Sequence, residues 1–364
     1  MSKPAGLLWT LLTSCAVFLM LVVVSSASEV VSDAAPEPPR LAYLTETATA
    51  TPKVWVAAAN GSDRKLLGKG QQPLLSPDGL SVAVSLFGVT AGDQEQGPSL
   101  GIYPSSGAPI ADYLSLETVT ATALAWSPDS RYLAVYAQSN QLVGIAAASS
   151  LDVIDTQTGT LTTIAHGAIY GASFAHDGSD ELVFAMAHSL SESAATNLYV
   201  SEASGAGMHS ITSDGRSLFP VWGPKYIAYD RERSRHLSPE YQIWLATSAG
   251  ARVRKLTHIA VGPLVQGLVP LAFSDSGSRL LAEFEGEDTS NAYTVSVASG
   301  RAHSVKVHGQ TVQAGGISSD GSTLLVDVGS FEQSPSRGRI ETVPFAGGPA
   351  KLLIAHGSQA SWNA

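Results

Sequence analysis

From Leu41 onward, short apolar runs rich in Val, Leu, Ala and aromatic residues are separated by clusters of Gly, Ser, Asp, Asn and Pro. No stretch in this region holds an apolar stripe at helical spacing, so the pattern predicts β-strands joined by tight turns. One unit recurs. Its clearest copy is Ala125-Trp126-Ser127-Pro128-Asp129-Ser130-Arg131-Tyr132-Leu133-Ala134-Val135-Tyr136: a strand ending in a large apolar residue, four residues of turn chemistry, then a second strand. The same order appears at Leu75-Ser76-Pro77-Asp78-Gly79, Phe174-Ala175-His176-Asp177-Gly178, Trp222-Gly223-Pro224-Lys225, Phe273-Ser274-Asp275-Ser276-Gly277 and Ile317-Ser318-Ser319-Asp320-Gly321.

The copies are spaced by about 44–51 residues, which is the length of a four-stranded propeller blade. The second half of each unit supports four strands, because Asn60-Gly61, Thr158-Gly159 and Ala249-Gly250 follow a third run and tolerate the positive φ of a tight hairpin. The expected fold is therefore an all-β, seven-bladed β-propeller over residues 41–364, with six blades as the alternative if the short-turned unit at Trp222 is irregular. Leu41-Ala42-Tyr43-Leu44 reads as the second strand of a blade that lacks its first. Trp362, near the C-terminus, falls in the column of Trp126, Phe174 and Trp222, so the C-terminal strand is expected to complete that blade and close the ring. The large apolar column (Leu75, Trp126, Phe174, Trp222, Phe273, Ile317, Trp362) reads as core between blades, and Asp78, Asp129, Asp177 and Asp320 read as turn caps.

The Ser-Pro-Asp-Gly turn followed by an apolar strand resembles the WD40-like repeat of TolB and related exported bacterial propellers, also found in prolyl oligopeptidase-type peptidases. That resemblance covers residues 41–364 and implies an extracytoplasmic binding propeller. It departs from both groups in expectation: the first expected strand starts just after the linker, where TolB-type proteins place an α/β domain, and the 364 residues are expected to leave no room for the hydrolase domain of the peptidases.

Composition narrows the partners. The formal net charge is -10 and no block of Lys and Arg occurs, which disfavours binding to nucleic acid. Residues 1–27 carry Lys3 and an apolar run from Leu7 to Val24, followed by Ser25-Ser26-Ala27, and read as a signal peptide or an N-terminal membrane anchor. Cys15 is the single cysteine; Leu12-Thr13-Ser14-Cys15 resembles a lipobox, but the residues after it stay apolar, so it reads as part of the signal segment. Residues 28–40, with Pro36, Pro38 and Pro39, read as a stiff linker. The expected location is the periplasm or the cell surface.

No nucleophile elbow, zinc helix, P-loop or dinucleotide fingerprint occurs, and the nine histidines lack the paired spacing of a metal site. The expectation is no cofactor, no metal and no catalytic residue. In propeller geometry the variable B–C connections mark one face for recognition. On that face Arg231, Arg233, Arg235 and His236 are candidates for an anionic ligand, and Glu283, Glu285, Glu287 and Asp288 for a cation, against the simpler reading that these charges pair with one another in solvent. Near the starts of the innermost strands, Gln72, Tyr170, Gln313 and Gln359 are candidates to rim a central channel. The expected function is non-enzymatic binding, as a monomer, of an envelope protein, peptide or glycan. A hydrolase or lyase at the channel mouth and a membrane-anchored sensor are the alternatives.

Overall fold

The Ser-Pro-Asp turns close hairpins by one repeated set of bonds. Ser127 Oγ donates to Asp129 Oδ1 at 2.5 Å and accepts from the Tyr132 amide at 2.8 Å, while Asp129 Oδ1 also accepts from the Arg131 amide. Ser76 with Asp78 and Ser318 with Asp320 repeat that arrangement. Hydrogen bonds from Ser318 and Ser322 hold the Asp320 carboxyl down at about 2, so the turn aspartates act as backbone caps.

The computed structural model describes residues 40–47, 50–86, 89–91, 94–96, 99–107, 119–139, 149–189, 194–232, 241–260, 265–286, 289–329 and 338–363. Residues 1–39, over which a leader and linker are expected, lie outside these residues with Cys15, as do Arg233, Arg235, His236, Glu287 and Asp288.

Every described element is a strand. β1 (Arg40–Thr47), β2 (Ala50–Ala58) and β3 (Lys65–Lys69) run as an antiparallel meander. β4 (Gln71–Leu75) and β5 (Ser81–Ser85) follow, then a small hairpin of β6 (Val89–Ala91) and β7 (Gln94–Gln96), then β8 (Leu100–Pro104), which pairs with β5. A four-stranded sheet comprises β9 (Val119–Trp126), β10 (Tyr132–Ser139), β11 (Ser149–Asp155) and β12 (Thr160–His166). The next comprises β13 (Ala168–Phe174), β14 (Glu181–Ala187), β15 (Thr196–Glu202) and β16 (His209–Ser210).

The short-turned unit has its four strands as well: β17 (Ser217–Trp222), β18 (Ile227–Glu232), β19 (Tyr241–Ala246) and β20 (Arg252–Lys255). Beyond it come β21 (Val265–Phe273), β22 (Arg279–Gly286), β23 (Ser290–Ser296) and β24 (Ala302–Ser304). One parallel bridge, Tyr241 to Gly267, joins these two sets. Gly267 has φ 129, and a Cβ there would lie 2.2 Å from the Tyr241 carbonyl oxygen, so only glycine allows this approach. The last sheet comprises β25 (Lys306–Val307), β26 (Gln310–Ile317), β27 (Thr323–Val328), β28 (Arg339–Pro344) and β29 (Lys351–Ile354). β30 (Ser358–Trp362) returns to pair antiparallel with β1.

The innermost strands pack in succession: β30 on β4, β4 on β9, β9 on β13, β13 on β17, β17 on β21, β21 on β26 and β26 on β30. Between neighbouring sheets lie the apolar clusters. One joins Leu41, Tyr43, Leu325, Ile340 and Ala360, with Trp362 against it; another joins Ala228, Ile243, Leu268, Leu280 and Val295, with Phe273 against it. The large apolar column is thus core, as its position in the repeat implies. Trp126 also donates from Nε1 to the Leu74 carbonyl of the preceding sheet at 3.0 Å.

Candidate functional site

Each of these innermost strands carries a register shift before its large apolar residue. The shift turns one or two amides out of the ladder and toward the preceding sheet. Three of the bulged residues, Gln72, Phe219 and Gln359, hold left-handed φ values of 51, 43 and 49 without being glycine. In the strands that carry Ala314 and Gln359, what meets the freed amides is a side chain at one position of the second strand of the preceding unit.

In three consecutive units that position is acidic: Asp230 in β18, Glu283 in β22 and Asp327 in β27. Asp327 Oδ2 accepts from the Gln359 amide at 2.5 Å, and the Ala360 amide adds a second bond. Glu283 accepts from the Ala314 amide and from Ser290 Oγ. Gln359 and Ala314 stand three residues before Trp362 and Ile317. The residue three before Phe273 is Pro270, which has no N–H to give. Asp230 is completely buried, and neither of its carboxyl oxygens has a hydrogen-bond partner. The proline accounts for that orphaned carboxyl.

Glu232 and Glu285 extend the arc two residues further along β18 and β22, and Tyr241 joins it from β19. Burial raises the carboxyls of Asp230, Glu283 and Glu285, and pushes Asp327 up to about 7. Among charged neighbours, Asp230 feels Glu285 and Glu232, Asp327 feels Glu283, and the Tyr241 phenol is raised by burial and then by Glu232, Asp230 and Glu285. Among the described residues, the charged neighbours that act on Asp230, Glu283 and Asp327 share their sign. Among the described residues, no three His, Cys, Asp or Glu side chains are placed to hold a metal ion.

The residues singled out from sequence divide. Gln313 is the register partner of Asp327, and Tyr170 meets Phe219 edge-on at 6.4 Å and adds to the field around Tyr241. Gln72 and Gln359 are exposed and joined, the Gln72 amide donating to Gln359 Oε1 at 3.0 Å. Glu283 and Glu285 lie in the arc. Arg231 corrects the expectation: it sits on the opposite face of β18 from Asp230, donates from Nε to Asp214 Oδ2 at 2.7 Å and stacks over Trp244 at 5.1 Å. It does not pair with Glu283, whose bonds go to Ser290 and Ala314, because strand alternation turns Arg231 toward the preceding sheet. Asp230, Glu232, Tyr241 and Asp327 were missed. For Asp230 and Asp327 the signal is an acid at one column of three successive copies, as in Ala228-Tyr229-Asp230, Leu281-Ala282-Glu283 and Leu325-Val326-Asp327.

No family model and no curated protein matches the sequence. Solved structures do. TolB from Acinetobacter baumannii aligns with a TM-score of 0.52 at 15% identity, over 89% of this chain and 66% of that one. The fold is a TolB-like β-propeller. A prolyl endopeptidase aligns with a TM-score of 0.58 at 13% identity, over 86% of this chain and 48% of its own. The β-propeller domain of the Trilobed protease from Pyrococcus furiosus gives 0.61 at 13% identity, over 88% and 97%. This chain thus spans about two thirds of TolB and about half of the endopeptidase. The Pyrococcus propeller has an open velcro topology, whereas here β30 pairs with β1. At these identities the likeness is one of fold, and function has to be argued from the arc.

Proposed function

We propose that this chain is an exported seven-bladed propeller, closed by its C-terminal strand, that binds a basic segment of an envelope protein or peptide at the end of the ring where the innermost strands begin. The acidic arc carries this reading: five carboxyls on three successive second strands, four of them raised by burial, with Asp230, Glu283 and Asp327 raised further by neighbouring acids. A Lys or Arg side chain entering the arc relieves that repulsion. The variable B–C connections at the same end supply the surface for discrimination.

Neutralising Glu283→Gln and Glu285→Gln together is expected to weaken binding of an oligolysine peptide about tenfold, and raising the salt to weaken it in the wild type. Calorimetry reads both, and an unchanged affinity in the double variant removes the reading. Export is tested separately. Membrane fractionation and N-terminal sequencing are expected to find either a mature chain starting just after Ala27 or an intact membrane-bound one, and a cytoplasmic full-length protein contradicts both.

The raised carboxyls favour a second reading, acid–base catalysis on a bound substrate, because burial that raises a carboxyl makes it a better-matched proton donor. A turnover that Glu283→Gln abolishes without loss of binding distinguishes it from binding alone.

A further inference from the structure

A cavity of about 670 Å³ opens between the sheet of β21–β24 and the sheet of β26–β29, at the opposite end from the acidic arc. Its wall is formed by the start of β22, by β23 and β24 with their turn, by β25, and by the turn after β28. Arg279, Arg301, His303 and Lys306 line it, and no Asp or Glu does. That is a marked local reversal in a chain of net charge -10.

Arg279 is held in place. Its Nη1 donates to the Gly321 carbonyl at 2.6 Å, and its guanidinium lies 5.0 Å from the centre of the Phe345 ring. It also acts on Asp320, which lies outside the cavity wall. Arg301, His303 and Lys306 are exposed, and none has an ion pair among the described residues. Like charges gathered in one concavity with no acid on its described wall repel one another, and an anion entering the cavity relieves that cost. A guanidinium offers five N–H donors in a planar fork suited to a carboxylate or phosphate, and Gly321 takes one of them in Arg279.

The rest of the wall narrows the ligand. Four Ser or Thr hydroxyls stand among the basic groups, with Phe345, Pro344 and two valines supplying apolar surface. The volume falls in the range of small-molecule sites. We infer that this cavity binds a small saccharide bearing an oxyanion, a sugar acid or a sugar phosphate, with Arg301 and Lys306 meeting the anion and the hydroxyls meeting the ring. The site is independent of the arc and of the reading built on it.

Calorimetry on the full chain with glucuronate, glucose 6-phosphate, glucose and inorganic phosphate tests this. Glucuronate or glucose 6-phosphate is expected to bind at least tenfold tighter than glucose or inorganic phosphate, the tighter of the two naming the oxyanion. Arg301→Ala combined with Lys306→Ala is expected to cut that affinity at least tenfold at an unchanged melting temperature; both side chains are exposed, so folding is preserved. Absence of binding by both sugars at millimolar concentration, equal binding of inorganic phosphate, or full affinity in the double variant overturns the assignment. The Glu283→Gln, Glu285→Gln variant is expected to bind the sugar as the wild type does, which separates the two ends of the molecule.

Discussion

A chain ending at His356 is expected to lose more than about 5 kcal/mol of stability, enough to unfold many domains of ordinary stability. The truncation removes β30, whose register places Trp362 opposite Leu41, Ser361 opposite Ala42 and Ser358 opposite Leu44, and leaves β1 as an open edge. It also removes bonds to the second sheet: Ser361 Oγ accepts from the Leu75 amide at 3.1 Å, Gln359 Oε1 accepts from the Gln72 amide, and Asn363 Nδ2 donates to the Pro77 carbonyl at 3.1 Å. On the other side, Asp327 loses the amides of Gln359 and Ala360 and is left buried without them. Trp362 packs against the backbone of Gly316, where any Cβ would come within 2.7 Å of the indole nitrogen. Removing a packed Trp alone costs about 3 kcal/mol, and each lost hydrogen bond adds about 1 kcal/mol. Urea unfolding measures the effect, with Trp362→Ala as the milder variant. A truncated chain that unfolds at the wild-type urea midpoint refutes the role given to this strand.

Stability is expected to rise as the pH falls from about 8 to about 5, opposite to the trend usual for a protein rich in paired carboxylates. A group whose folded pKa exceeds its unfolded value holds its proton more tightly when folded. It therefore disfavours folding progressively as pH rises from the unfolded value through the folded one. Asp327, raised by burial from 3.8 to about 7, costs on the order of 4 kcal/mol at pH 7 by this linkage. Asp230, Glu283 and Glu285 act in the same direction. Asp155, Asp177 and Asp214 oppose them, since their carboxyls are held low and their contribution disappears only at more acidic pH. For Asp214 burial works against the shift, and the Arg231 bond with the Arg216 amide and Ser217 overcomes it.

The Asp230→Asn variant isolates one member of the set. Among the described residues both Asp230 oxygens lack donors, so replacing the acid by an amide sacrifices no bond. The amide cannot ionise, and the variant is expected to be more stable than wild type at pH 8 and equal to it near pH 4. Thermal unfolding from pH 4.5 to 8.5 reads both curves. A wild-type melting temperature that climbs toward pH 8, or a variant that parallels the wild type at every pH, contradicts the raised carboxyl assigned to Asp230.

Both expected effects trace to positions that differ in how far they can be read from the chain. The hairpins were legible because a Ser-Pro-Asp turn is satisfied by residues within a few positions, and the Trp362 column because it repeats a local pattern. Glu283 and Glu285 were visible as charges on a variable connection; of the basic group expected to face them, Arg231 bonds to Asp214 instead, and Arg233, Arg235 and His236 lie outside the described residues. Asp230 and Asp327 escaped notice because a lone acid in a strand resembles an outward-facing residue until the copies are aligned by column.

Local sequence sets the unit: strand lengths, turn chemistry, the spacing of copies and the apolar column all arise from interactions within one repeat. Only the tertiary structure decided which amide each buried acid meets, that Pro270 leaves Asp230 without one, that Arg231 turns back to Asp214, and that Arg301, His303 and Lys306 share a cavity with Arg279. These depend on contacts between one sheet and the next, across tens of residues of chain. A repeat that looks the same in every copy carries no local record of which neighbour it will face.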